Sequence, residues 1–160
     1  MDELTPIKRH KAMVSFSKDH HFALLLVWKI RQGLKKDIDA KRISQYVVFF
    51  FNEDLIKHFT DEETLLFIYL PEDDPLRKTA EADHQNIYRI IKAIQENNNS
   101  SSSLLLELAD ALEQHIRFEE RTLFNQLQKN IGTEAMEVIE KRLSPGDGNL
   151  DAKWDDHFWT

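Results

Sequence analysis

Two short runs in this chain repeat one pattern of side chains able to bind a metal. The first is His58-Phe59-Thr60-Asp61-Glu62-Glu63, followed by Leu66-Phe67; the second is His115-Ile116-Arg117-Phe118-Glu119-Glu120, followed by Leu123-Phe124. Both read H-x-x-x-E-E-x-x-L-F at identical offsets. On a helix, residues i and i+4 are neighbours on one face. The imidazole nitrogen of each His and the carboxylate oxygen of the following Glu can therefore converge on one or two nearby metal ions. Upstream of each run stands an Asp-His pair, Asp19-His20 before the first and Asp83-His84 before the second. The chain thus reads as two similar halves. Folding them together would gather His20, His58, His84 and His115 with Glu62 and Glu119 around one axis, two imidazoles per metal and two carboxylates available to bridge.

A hydrogen-bonded core histidine is the ordinary explanation of a single His on an apolar face. Four of them with two acids in the same stripes need another. A buried, unpaired carboxylate costs several kcal/mol or shifts its pKa until it is neutral, and two together are worse. Bivalent cations remove that problem directly. His21 competes with His20 but lies about 100° round the helix, and His20 fits the apolar stripe better. Glu63 and Glu120, one step past the inward acids, read as surface groups or supports for the ligands. Asp19 and Asp83 read as exposed first-turn or surface acids, with a hydrogen bond to a ligand His as the alternative. His10 and His157 lie outside the pattern.

Long helices must position these residues. Residues 1–16 read as an N-terminal arm containing Pro6, and Ser17 as the N-cap of a first helix. Its stripe is Phe16, His20, Ala23, Leu24, Val27, Ile30 and Leu34, ending near Gly33. The spacing predicts a second helix over about 39–70, stopped by Pro71. Its stripe takes Val47 or Val48, then Phe51, Leu55, His58, Glu62, Leu65 or Leu66, and Tyr69. A third starts near Asp74 with Pro75 in the favoured first-turn position, and it carries Ala80, His84, Ile87, Ile91 and Ile94. After the polar loop Asn97–Ser103, a fourth runs to about Asn130 with Leu105, Leu108, Leu112, His115, Glu119 and Thr122 on one face. Gly132 breaks it before a short fifth helix over 133–143. The expected domain is an all-α, antiparallel up-down four-helix bundle over residues 17–143, and such bundles build metal sites from facing helices. Residues 144–160 form a tail, with a loop at Pro145, Gly146 and Gly148. Its Trp154, Phe158 and Trp159 suggest docking on the bundle or on a partner, self-docking or disorder being the plain reading.

Composition narrows the chemistry. The chain has 160 residues, no cysteine, four glycines and four prolines, and a formal charge of −7. One domain with few turns fits that length. Without Cys there is no disulfide, thiolate zinc site, Fe–S cluster or Cys nucleophile, so any metal must sit on nitrogen and oxygen. The acidic balance argues against nucleic-acid binding, which needs a basic face. No apolar run approaches the roughly 18–20 residues of a membrane span, and Met1–Lys11 lacks the apolar core of a signal peptide. A cytoplasmic location is expected, with no membrane partner.

Ser17-Lys18-Asp19-His20-His21, the two His-to-Glu runs and Ala82-Asp83-His84 together resemble the hemerythrin-like (HHE cation-binding) domain family over roughly Phe16 to Gln128. The resemblance implies a four-helix bundle holding two non-haem irons bridged by two carboxylates and an oxo or hydroxo group. By matching positions the implied ligands are His20, His58, Glu62, His84, His115 and Glu119. Oxygen-carrying members have a further His four residues after the third-helix His, where this chain has Tyr88. Tyr88 is therefore expected either to contact the cofactor, as phenolate or by a hydrogen bond, or to pack in the core. The second acid stands at i+4 of His115, where the oxygen carriers have an Asp at i+5. Both features are closer to bacterial and regulatory branches than to respiratory carriers. Ferritin-like bundles differ, since they place His three residues after Glu. Mixed imidazole and carboxylate donors suit iron, and also manganese or zinc.

Three functions follow. The first is a diiron module that binds or senses dioxygen, nitric oxide or peroxide, or buffers iron. The second is a redox enzyme that reduces peroxide or nitric oxide or delivers iron for repair; the repair members of the family carry a Cys-containing segment that this chain lacks, and a binding role is preferred. The third is a metal-free helical interaction module. No motif identifies an electron donor or a protein partner.

Overall fold

The computed structural model describes residues 9–143 and 150–160, so the expectations for Pro6 and for the loop at Pro145, Gly146 and Gly148 lie outside the described residues. The described residues are all helix, turn and loop, with no strand among them. Four rods form the bundle. The first is α1 (Lys11–Lys35). The second starts as α2 (Ala40–Phe50), passes a π-turn (Phe51–Leu55), continues as α3 (Ile56–Asp61), and ends in a second π-turn (Glu62–Leu66) and a 3-10 turn (Phe67–Tyr69). The third is α4 (Pro75–Glu96). The fourth joins α5 (Ser102–Phe118) to α6 (Phe124–Asn130) through a π-turn, Glu119–Leu123. Helix α7 (Thr133–Arg142) follows Gly132 and packs against α1. No helix of the described residues is long and apolar enough to cross a membrane.

Side-chain caps set the starts. Asp74 accepts from the backbone N–H of Leu76 and Arg77 ahead of Pro75, Asp39 caps α2, and Ser101 caps α5. The expected arm and the Ser17 cap are corrected: α1 begins at Lys11, where His10 Nδ1 accepts from Ala12 N at 3.1 Å. Ala12, Met13 and Phe16 bury their side chains in the core, so the apolar stripe extends the helix through residues 11–16.

The π-turns change which residues face inward. Each adds a residue to one turn, so the apolar face advances by one position. Phe50 is buried where Phe51 was expected, Leu123 replaces Thr122, and Tyr69 is exposed. Two apolar clusters result. The larger fills the end of the bundle around Val27, Ile30, Ile43 and Tyr46; the smaller fills the other end around Phe16, Leu66, Phe124 and Leu127. The polar centre lies on the helical segments between them.

The described part of the tail docks on α1 and α2. Phe158 is buried beside Gly33, Trp154 stacks on Phe49 at 4.8 Å, and Lys29 Nζ stands 4.0 Å over the Trp159 ring. Lys29 also pairs with Asp151 at 2.7 Å, and Arg42 meets Asp156 through two hydrogen bonds. Gly33 permits this approach, since a Cβ there would stand 2.8 Å from Ile43 and 2.9 Å from Phe158.

Candidate metal centre

Each rod places one imidazole inward, and two of them add a carboxylate one turn later. His20, His58, His84 and His115 are at most 4% exposed, and Glu62 and Glu119 are fully buried. His21, by contrast, is exposed and packs on Phe22. One donor atom from each of His20, His58, Glu62 and Glu119 falls within a 4.8 Å sphere of mutual distances, and so does one from each of Glu62, His84, His115 and Glu119. The two groups share both acids. Glu62 Oε1 lies 3.0 Å from His84 Nε2, and its Oε2 lies 3.3 Å from His58 Nε2. Glu119 Oε1 lies 2.9 Å from His20 Nε2 and 3.3 Å from His115 Nε2.

The outer ring nitrogens face a second shell of acids. His58 Nδ1 donates to Asp19 Oδ2 at 3.0 Å, and His115 Nδ1 donates to Asp83 Oδ2 at 2.9 Å. His84 Nδ1 donates to Glu63 Oε2 at 2.7 Å, and His20 Nδ1 faces Glu120 Oε2 at 3.6 Å. Asp19 and Asp83 are thus partners of the buried imidazoles, not the free surface acids first expected. Glu63 takes the second of its two expected places, as a support for a ligand, and Glu120 faces His20 without a hydrogen bond. A carboxylate on Nδ1 fixes the ring orientation and directs the Nε2 lone pair inward.

That geometry sets an electrostatic problem. With Nδ1–H committed outward on His58, His84 and His115, the Nε2 of a neutral ring there is an acceptor facing a carboxylate oxygen, another acceptor, whereas His20 Nδ1 is buried without a hydrogen-bond partner. His58 Nε2, His115 Nε2, Glu62 Oε2 and Glu119 Oε2 are buried with no hydrogen-bond partner. Only a proton or a metal cation between such atoms removes the conflict. In the protein alone protons do it. Burial works against charge on His58 and His115, but Glu62 with Asp19, and Glu119 with Asp83, outweigh it and hold the two pKa values at about 9 and about 10. Burial likewise opposes charge on His20 and His84, and their neighbouring carboxylates raise both. Burial pushes Glu62 upward, but His58, His20 and His84 hold it well below the carboxylate range. The donor set, nitrogen and oxygen with two shared acids, fits a pair of cations in the place of these protons.

Phenyl rings close the centre. The Phe ending each repeated run stacks on a histidine of the other half: Phe67 on His84 at 5.5 Å and Phe124 on His20 at 5.1 Å. Phe59 adds a closer stack on His84 at 4.0 Å. These aromatic contacts escaped the sequence reading, although the repetition of Phe67 and Phe124 at fixed offsets was a signal for them. Tyr88 is half-buried one turn after His84, with its ring edge-on to Phe51 and Phe59.

In a comparison with known families, the model of the hemerythrin HHE cation binding domain matches residues 13–127. No curated protein and no solved structure matches the chain.

Proposed function

The chain belongs to the hemerythrin HHE cation-binding domain family, and from that membership we propose a non-haem diiron protein that binds or senses dioxygen, nitric oxide or peroxide, or buffers iron. The observation that carries this reading is the sharing of Glu62 and Glu119 between two four-residue donor groups. In this reading His20 and His58 hold one ion, His84 and His115 hold the other, and the two glutamates bridge them. An iron pair held there would supply redox chemistry toward a small ligand.

The chain's own residues do the rest. Asp19, Asp83 and Glu63 orient their imidazoles through Nδ1, and Glu120 places a carboxylate 3.6 Å from His20 Nδ1. Phe59, Phe67 and Phe124 exclude water from their faces. Tyr88 keeps its phenol proton, because burial and the charges of Glu63 and Glu62 raise its pKa. We assign it to donating a hydrogen bond toward a bound ligand rather than to binding metal as a phenolate. Anaerobic reduction of the iron-loaded protein, followed by dioxygen, nitric oxide or peroxide one at a time, tests the reading. A persistent visible adduct with one of them is expected. Turnover without an adduct would replace the binding module with a redox enzyme.

A further inference from the structure

A cleft of about 260 Å³ opens on the outer side of α4 and α5, with Asp83 and His115 in its wall and Thr79, Asn86, Ala111 and Gln114 beside them. The His115 ring spans from this cleft to the centre: its Nδ1 meets Asp83 at 2.9 Å, and its Nε2 stands 3.3 Å from Glu119 Oε1. One imidazole therefore separates the cleft from a buried carboxylate. The approach offers oxygen from one carboxylate, two side-chain amides and a hydroxyl, beside the Phe118 ring.

The first half differs at the matching positions. Counting from the aligned histidines, Phe22 stands where the cleft has Asn86, Asp54 where it has Ala111, and Lys57 and Asp61 where it has Gln114 and Phe118. Lys57 Nζ is bound to Asp61 Oδ2 at 2.9 Å. An aromatic ring and a Lys57–Asp61 ion pair thus flank the outer side of the Asp19–His58 pair, with the Asp54 carboxyl nearby. A cation stripped of water pays a large desolvation penalty in an apolar path. Side-chain oxygens that replace its waters lower that penalty, and a fixed ammonium raises it.

We propose that this cleft is the route by which a divalent cation reaches the buried glutamates, with Asp83 as the first charged group it meets; the proposal rests on the metal-centre reading above. The test is the rate of Co²⁺ uptake by metal-free protein, followed by its visible absorption. Asn86→Phe places the first half's ring in the cleft at an exposed position whose recorded side-chain bonds are to Arg89, so the fold is kept. Gln114→Lys introduces the first half's cation. Each variant is expected to load about tenfold or more slowly, with the same final cobalt content and spectrum. The effect of Gln114→Lys shrinks at high salt, and Phe22→Asn leaves the rate unchanged. Wild-type loading rates in both cleft variants, at full cobalt content, would overturn the route and leave the centre standing. A wild-type protein that takes up no cobalt overturns both.

Discussion

His20 and His84 occupy matching places in the two halves of the bundle, yet they are held differently. His84 has Glu63 at 2.7 Å on its outer nitrogen and two phenyl rings stacked on it. His20 has Glu120 at 3.6 Å and one stacked ring, and its acid is anchored elsewhere: Ser17 Oγ donates to Glu120 Oε2 at 3.0 Å, and Arg9 bonds the Glu120 carbonyl. The aspartates behave alike, each bonding a histidine within its own half, whereas the glutamates reach across the halves, Glu63 with a hydrogen bond and Glu120 at 3.6 Å. The six inner donors thus follow the repeat, while their surroundings differ between the halves. Cross-half pairs tie the halves into one centre.

The strongest attack on this comparison removes an acid that both halves share. Glu62→Gln takes a ligand from both donor groups at once, so loss of nearly all bound metal is expected, measured by elemental analysis of purified protein. Glu119→Gln should do the same. A variant that kept one full metal site would show that the acids are not shared.

Protons supply a second contrast, between the empty and the loaded centre. Raised pKa values of about 9 for His58 and about 10 for His115 stabilise the metal-free fold fully below the ordinary histidine value of 6.5. That stabilisation, a few kcal/mol in order of magnitude, is lost as pH rises through the folded values. Melting curves of metal-free protein should show Tm falling between about pH 7 and 10, with the loaded protein much less sensitive. A flat metal-free profile would contradict the paired protons.

The outer acids sharpen the difference between halves. Glu63→Gln is expected to weaken metal affinity by about 10–100-fold, the usual cost of losing such a partner. Glu120→Gln should cost less, because its ring contact is longer. Competition with a coloured chelator reads both, and equal losses would erase the asymmetry. The smallest effect lies at the tail. Gly33→Ala forces a methyl against Ile43 and Phe158 and should lower stability by about 1–3 kcal/mol. Metal content should stay unchanged, which separates the tail's packing from the centre.

Helical spacing made most of this legible in the residues themselves. His58 and Glu62, or His115 and Glu119, share a face because four residues make about one turn, and Pro75 and Asp74 mark the start of α4 through ordinary capping. The register beyond each inward Glu was not legible, since a π-turn begins at Glu62 and at Glu119 and shifts the apolar face by one residue. Asp19, Asp83, Glu63 and Glu120 were legible as possible supports of a ligand His, but not the rings that Glu63 and Glu120 face, because those lie on helices far away in sequence. The tail's docking depended on a close approach at Gly33 that no local pattern announces.

The central claim is that two cations occupy one centre built from both halves. Its most direct test is the metal-to-protein ratio of iron-loaded wild type against the double variant His58→Ala/His115→Ala, which removes one imidazole from each donor group. The account predicts close to two irons per wild-type chain and almost none in the folded variant. An unchanged ratio in the variant would contradict it.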